Sequence, residues 1–246
     1  MNILITGGAS GLGEAITQKL AADARNKVYF TYSKSHSNAL KLTQQFTNTV
    51  SVKCNFELAE DVTALCNTLG DLNMDVLINN AYAGAYLKTY FHKIATPDFL
   101  QEFQNNVLPV LAITQAAINN FRKKKAGKII TISTAALVGS PPIGTSAYVA
   151  NKAYLEVMSK CWAAENNKFH ITSNLISPAF MLTDFTSGFD ERIVEQLIEA
   201  HPLKRLLTKE EVAEAVSFLI TTEEQINGMN FILNAGETIS SKTKEL

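Results

Sequence analysis

With 246 residues, 46% of them hydrophobic, the chain is long enough for one large α/β domain. Lysine plus arginine (22) nearly balance aspartate plus glutamate (23), which leaves no basic field for nucleic acid and no acidic tail. Three widely spaced cysteines, Cys54, Cys66 and Cys161, form no Cys-x-x-Cys pair, so reduced and buried thiols are expected, with neither a disulfide framework nor a metal site.

Met1-Asn2-Ile3-Leu4 opens directly as a strand with no basic leader, and no apolar run of about 18 residues follows it. A soluble, cytoplasmic protein with no membrane partner is expected. Asn2 to Thr6 reads as a buried strand, and Gly11 to Ala24 as a helix with Leu12, Ala15, Ile16 and Leu20 on one face. Between them lies Thr6-Gly7-Gly8-Ala9-Ser10-Gly11-Leu12-Gly13. Glycines at 7, 11 and 13 let the main chain bend sharply and let a pyrophosphate approach the amides at a helix start, where the helix dipole favours negative charge. The spacing is Gly-x-x-x-Gly-x-Gly, unlike the Gly-x-Gly-x-x-Gly of many dehydrogenases. Without a ligand the same stretch is a plain strand-to-helix turn.

The second strand, Lys27 to Tyr32, runs into Ser33-Lys34-Ser35. An NAD site usually places a carboxylate about 20 residues past the glycine turn, and none stands here. Two hydroxyls and a cation suit a 2′-phosphate and point to NADP(H). The plainer reading is a solvated lysine with serines capping the helix that begins near His36. Strands then alternate with helices: Val50 to Asn55, Ala59 to Leu69, Asp75 to Asn79, a helix from about Pro97 to Phe103 running into one from about Asn106 to Lys124, Lys128 to Ser133, Ser146 to Glu165, His170 to Ile176, Lys209 to Ile220 and Asn230 to Asn234. That alternation predicts a parallel sheet covered on both faces, with ligands beyond the carboxyl ends of the strands. Those ends carry the glycine turn, Asn79-Asn80-Ala81, Ser133-Thr134 and Ser177-Pro178-Ala179.

Tyr148-Val149-Ala150-Asn151-Lys152 carries the chemistry. On a helix its spacing puts a phenol and an ammonium on one face a turn apart. The cation favours the phenolate, lowering a pKa that starts near ~10 toward the range where a phenol exchanges protons at neutral pH. Alone, such a pair is more often an aromatic beside a solvated lysine.

Together these motifs resemble the short-chain dehydrogenase/reductase family over residues 1 to 237, with 238–246 left as a polar tail. The carriers are Thr6-Gly7-x-x-x-Gly11-x-Gly13, Asn79-Asn80-Ala81, Asn106-Val107, Tyr148-x-x-x-Lys152 and Ser177-Pro178 followed by Thr183. The resemblance implies a single-domain, Rossmann-like, doubly wound fold, a nicotinamide coenzyme and a catalytic set of Asn106, Thr134, Tyr148 and Lys152. Tyr148 is then the proton donor, Lys152 lowers its pKa and binds the nicotinamide ribose, and Asn106 holds a water that relays protons. Standing alone, Asn106 reads equally as a helix-start cap. Thr134 falls at the family's serine, with Ser133 the fallback if the strand ends early. Implied coenzyme contacts are Gly7, Ser10, Gly11, Leu12, Gly13, Tyr32, Ser33, Lys34, Asn55, Phe56, Asn80, Ala81, Tyr148, Lys152, Pro178 and Thr183.

The chain departs from the family pattern at several places. Tyr82 replaces a glycine, where it crowds the coenzyme ribose or points into the substrate pocket. Asn55 replaces an aspartate, Ala179 a glycine, and Asn234-Ala235-Gly236 an Asp-Gly-Gly. A substrate lid is expected over 182–207, where Phe180, Met181, Leu182, Phe185, Phe189, Ile193, Leu197 and Ile198, with Tyr82, Tyr86 and Leu87 opposite, suggest an apolar pocket, although the helical spacing of Ile193, Leu197 and Ile198 is equally what ordinary packing requires. His201-Pro202-Leu203 and Phe121 to Lys128 resemble 3-oxoacyl-ACP reductases. The run Arg122-Lys123-Lys124-Lys125 is either a dock for an acidic carrier protein or a helix C-terminus decorated with cations.

An NADPH-dependent ketone reductase, with a 3-oxoacyl thioester as leading substrate, is thus expected. The alternatives are an enzyme of sugar-derived or other small secondary alcohols and a coenzyme-binding scaffold without turnover. A homodimer or homotetramer through the helices at 106 to 124 and 146 to 165 is implied by the resemblance.

Overall fold

The computed structural model describes residues 1–84, 89–183 and 190–239. Among these, seven strands form one sheet: β1 (Asn2–Ile5), β2 (Lys27–Tyr32), β3 (Thr49–Lys53), β4 (Val76–Asn79), β5 (Gly127–Ile132), β6 (Ile171–Pro178) and β7 (Asn230–Leu233). All pairings are parallel and the order is β3-β2-β1-β4-β5-β6-β7. This is the parallel sheet that the alternation predicts, in the doubly wound, Rossmann-like form that the resemblance implies.

The helices are α1 (Gly11–Ala21), α2 (His36–Gln45), α3 (Ala59–Thr68), α4 (Thr96–Asn106), α5 (Leu108–Lys124), α6 (Ser146–Asn166), α7 (Glu191–Ala200) and α8 (Lys209–Thr221). Successive strand residues serve opposite faces of the sheet. Ile3 and Ile5 join Ile16, Leu20, Leu42, Val212 and Val216 under α1, α2 and α8. Leu4, between them, joins Leu65, Ile113, Phe121, Leu155 and Trp162 under α3, α5 and α6. Burial on both faces is why β1 and β4 read as unbroken apolar runs.

Local chemistry sets the ends that matter. Pro109 has no N–H and crowds the carbonyl four residues back, so α4 and α5 cannot be one helix; the chain breaks at Val107, with Asn106 at the joint. The side chain of Asn106 does not cap α5, whose N-cap is Val107, so the capping reading fails. Thr208 and Glu211 form a reciprocal capping box that starts α8. At the far end of α1, Asn26 Nδ2 takes the Leu20 carbonyl at 2.9 Å and Asn48 Nδ2 takes that of Ala21 at 3.0 Å. The helix therefore stops short of Ala24. β6 extends past Ile176 because Ser177 and Pro178 pair with Ile232 and Leu233 of β7.

The three thiols are free, but only Cys54 is fully buried; Cys66 and Cys161 are half-buried. No helix among the described residues is long and apolar enough to cross a membrane. Tyr86, Leu87, Phe185, Phe189 and Ser240 to Leu246 lie outside the described residues.

Candidate active site

The strand order reverses between β1 and β4, so a crevice opens at their carboxyl ends. The turn after β1 fills one side of it. Gly7 has φ +66° and Gly11 φ +53°, conformations that favour glycine. Gly7 N donates to Thr31 Oγ1 at 2.9 Å, Gly8 N to the Thr31 carbonyl at 2.9 Å, and Thr17 Oγ1 to the Gly8 carbonyl at 2.9 Å. A Cβ on Gly13 would fall 2.0 Å from the Gly7 carbonyl oxygen, whereas one on Gly11 would meet only Thr183 Cβ at 3.7 Å. The inner side of the turn is thus closed, whereas among the described residues the Gly11 side leaves room up to Thr183. Ser10, the N-cap of α1, makes no side-chain bond to the first-turn amides. These amides and the room beside Gly11 fit the pyrophosphate of a dinucleotide.

Asn80 braces the turn. Its Nδ2 donates to the carbonyls of Thr6 at 3.0 Å and Gly7 at 3.2 Å, while Thr6 Oγ1 accepts from the amides of Asn80 and Ala81, each at 3.0 Å. Asn79 turns inward, its Nδ2 bonding Thr114 Oγ1 at 2.9 Å in the buried layer beneath. Beyond β2, Ser33 and Lys34 are exposed, and Tyr32 Oη lies 3.1 Å from His36 Nδ1. Ser35 is the N-cap of α2 but makes no side-chain bond to it, so the capping reading of these serines fails as well. Asn55 Oδ1 accepts from Glu57 N at 3.2 Å. The Phe56 side chain is buried in the core beside Val62 and Leu65, so only its main chain can face a ligand. Pro178 is buried at the end of β6, and Ala179, whose amide bonds the Leu233 carbonyl at 2.9 Å, needs no positive φ and hence no glycine.

The other side of the crevice is built from side chains. α6 carries Tyr148 and Lys152 one turn apart. Lys152 is only 6% exposed, and its Nζ donates to the Ile132 carbonyl at 2.7 Å. Burial lowers its pKa from 10.5 to about 8. Nζ sits 5.9 Å from the centroid of the Tyr148 ring and 5.6 Å from that of Tyr82. Tyr82 therefore packs against Tyr148, with ring centroids 5.2 Å apart and planes at 62°.

β5 ends at Ile132, although Ser133 N still bonds the Ile176 carbonyl at 2.7 Å. Ser133 is 4% exposed and its hydroxyl has no partner among the described residues. Thr134, half-buried with extended backbone, accepts from Ala136 N at 3.3 Å and so keeps its hydroxyl proton to donate. Of the two, Thr134 is the rim hydroxyl. Asn106 Oδ1 accepts from Ala83 N at 2.6 Å and its Nδ2 donates to Glu102 Oε2 at 3.1 Å, so its side chain braces the loop after β4 against α4. Glu102 and Asn151 escape sequence reading, though Glu102 stands one helical turn before Asn106, on the same face.

The basic run lies at the opposite end of β5 from Thr134. Arg122 Nε donates to Asn166 Oδ1 at 2.7 Å and its guanidinium stacks 4.6 Å from the Phe169 centroid, while Lys124 pairs with Asp75. These contacts favour cations decorating a helix end.

Comparison with known proteins matches residues 7–238 to the family profile described as enoyl-(acyl carrier protein) reductase. The chain is 30% identical over 221 residues to 3-oxoacyl-[acyl-carrier-protein] reductase MabA of Mycobacterium tuberculosis, covering 89% of this chain and 84% of that protein. It is 31% identical over 223 residues to the 3-oxoacyl-[acyl-carrier-protein] reductase of Synechocystis, covering 88% and 87%. A solved structure of a short-chain dehydrogenase/reductase family protein superposes with a TM-score of 0.84 at 27% identity, covering 98% of each chain. Likeness of this extent, over a sheet whose rim gathers the glycine turn, Tyr148 and Lys152, places the chain in the short-chain dehydrogenase/reductase family of oxidoreductases, which use a nicotinamide coenzyme.

Proposed function

We propose that the protein is an NADPH-dependent ketone reductase whose leading substrate is a 3-oxoacyl thioester. The observation that carries this reading is the Tyr148–Lys152 pair, with its buried ammonium fixed on the Ile132 carbonyl two residues before Thr134. When bound, the reduced nicotinamide supplies the hydride that adds to the carbonyl carbon. Tyr148 gives its phenolic proton to the carbonyl oxygen, completing a secondary alcohol and leaving a phenolate. The Lys152 ammonium stabilises that phenolate. Thr134 donates to the same oxygen as charge builds on it, and its β-methyl restricts the rotamer and narrows the pocket.

Gly7, Ser10, Gly11, Leu12 and Gly13 would hold the pyrophosphate, with Thr183 across from Gly11. The exposed Ser33 and Lys34, with the uncommitted hydroxyl of Ser35, support NADPH over NADH, since no carboxylate stands there to repel a 2′-phosphate. The acyl carrier named for the relatives is proposed here as substrate bearer. Docked on the Arg122 cluster, it would sit the length of β5, roughly 20 Å, from the Tyr148 end of the same subunit. Exposed Leu100, Leu108, Tyr154 and Val157 on α4, α5 and α6 support self-association, and a cytoplasmic setting accords with this chemistry.

The profile's description favours a second reading, reduction of a 2-enoyl thioester, but a Thr134 hydroxyl that accepts from Ala136 N and keeps its proton to donate fits a ketone better. NADPH consumption with acetoacetyl and crotonyl thioesters, free and carrier-bound, separates the two. Oxidation by the 3-oxo compounds, lost in Tyr148→Phe, is expected. Coenzyme binding without oxidation by any ketone overturns the reductase reading.

A further inference from the structure

Tyr82 is the largest departure from the family pattern near the site, and its surroundings give it more than a space-filling part. Its backbone φ is not positive, so no glycine is required there. The ring meets the Tyr148 ring edge-on, and one buried ammonium lies within 6 Å of both faces, at 5.6 and 5.9 Å. Tyr82 Oη donates to Glu102 Oε2 at 2.8 Å. The same carboxylate oxygen accepts from Asn106 Nδ2 at 3.1 Å, and Asn106 Oδ1 accepts from the amide of Ala83, the neighbour of Tyr82, at 2.6 Å. The path Tyr82, Glu102, Asn106, Ala83 therefore closes on itself and locks the loop after β4 to α4. From the α6 side, the Asn151 amide lies close enough to the Tyr82 oxygen to favour its ionised form, although Asn151 Nδ2 makes no hydrogen bond of ordinary geometry.

We propose that Tyr82 and Glu102 are positioning residues: Glu102 fixes the Tyr82 ring, and that ring holds the Tyr148 phenol and the Lys152 ammonium in register for proton transfer. This rests on the reading of Tyr148 as proton donor. The physical reason is alignment, because misplacing a reacting group by about 1 Å can cost on the order of a hundredfold in rate. The arrangement also separates two neighbouring phenols by role. Burial and the adjacent Glu102 carboxylate hold the Tyr82 phenol far above the ordinary range, and its proton is committed to that carboxylate. Tyr148, whose ring centroid lies 5.9 Å from the ammonium, is the phenol to which the proposal assigns proton transfer.

Tyr82→Phe and Glu102→Ala should each lower kcat roughly tenfold with little change in KM for NADPH, and the double variant should be no slower than either. Glu102→Gln should restore turnover, since one oxygen accepts both bonds and an amide oxygen can do the same. A second readout needs neither coenzyme nor substrate. In an NMR titration of the Lys152 ammonium, identified by the loss of its signal in Lys152→Met, the midpoint of about 8 should move up toward 10.5 in Tyr82→Phe, as the loosened ring lets water reach the ammonium. An unmoved titration in Tyr82→Phe overturns the proposal whatever turnover does. Absence of ketone reduction by the unaltered protein would instead remove the reductase reading, leaving the titration to judge the pair.

Discussion

The two walls of the crevice are made by opposite means. The wall after β1 is a surface of main chain, shaped by leaving side chains off: Gly13 has no room for a Cβ and Gly7 sits in a left-handed conformation. The wall around Tyr148 is a surface of side chains added on, with Tyr82, Glu102 and Asn106 filling and bonding what would otherwise be open. A main-chain wall can hold any ligand with the right charge, because amides and a helix dipole do not discriminate among dinucleotides. A side-chain wall decides which reaction occurs and on what.

The largest expected effect breaks the second wall at its reacting group. Tyr148→Phe removes the proposed proton donor while keeping the ring against Tyr82, so kcat should fall by about 10²–10⁴ with coenzyme affinity unchanged. Steady-state kinetics beside NADPH fluorescence titration checks it. If affinity falls as much as rate, the two walls are not separable in the way the geometry implies.

Gly13→Ala breaks the first wall. The added methyl would lie 2.0 Å from the Gly7 carbonyl oxygen and 2.6 Å from Asn80 Nδ2, so the turn must open. Overpacking of this kind costs about 1–3 kcal/mol, and main chain yields less readily than a flexible side chain. Loss of NADPH fluorescence enhancement together with a lower Tm is expected. A Gly13→Ala protein that binds NADPH as the unaltered one does would show that the pyrophosphate lies elsewhere.

Lys152 sharpens the comparison because its charge is held without a carboxylate partner among the described residues. Its pKa in the folded chain is about 8 against 10.5 for the ordinary group. Between these values the unfolded chain holds a proton that the folded chain has lost, so Lys152 makes ligand-free stability rise with pH from about 8 to 10.5. Below about 8 the buried charge is a constant burden, on the order of 3 kcal/mol. Urea denaturation at pH 7 and pH 10 should show the stability of the unaltered protein gaining on that of Lys152→Met as pH rises. A flat difference would mean that water reaches the ammonium.

The same contrast explains what could be read from residues alone. The main-chain wall was legible because glycine spacing, a preceding apolar strand and a following amphipathic helix are sequential features. Tyr148 and Lys152 were legible for the same reason, being four apart on one helix. Tyr82 could be flagged as out of place, but not as Glu102-bound, because that bond spans 20 positions and depends on how α4 packs. The side-chain bonds of Asn106 are hidden for the same reason: Pro109 sets the helix break, yet its partners, Ala83 and Glu102, come from two different elements. Helix ends were overrun where distant side chains, Asn26 and Asn48 on α1, take the last carbonyls.

One position stands between the two building principles and yields the smallest effect. Ala235, just after β7, has φ +52°, so a side chain sits where the main chain favours none. The turn is otherwise well bonded, with Asn234 Oδ1 accepting from Gly236 N at 3.1 Å and Asn234 O from Glu237 N at 2.9 Å. A left-handed non-glycine residue costs roughly 1–2 kcal/mol, and glycine returns about 0.4–1 kcal/mol of that through the greater freedom of its unfolded chain. Ala235→Gly should therefore stabilise by up to about 1 kcal/mol, raising Tm by a few degrees at most, with kcat and coenzyme affinity unchanged. A fall in Tm would mean that the Ala235 methyl makes contacts worth more than the strain it imposes, and that this turn belongs with the side-chain wall.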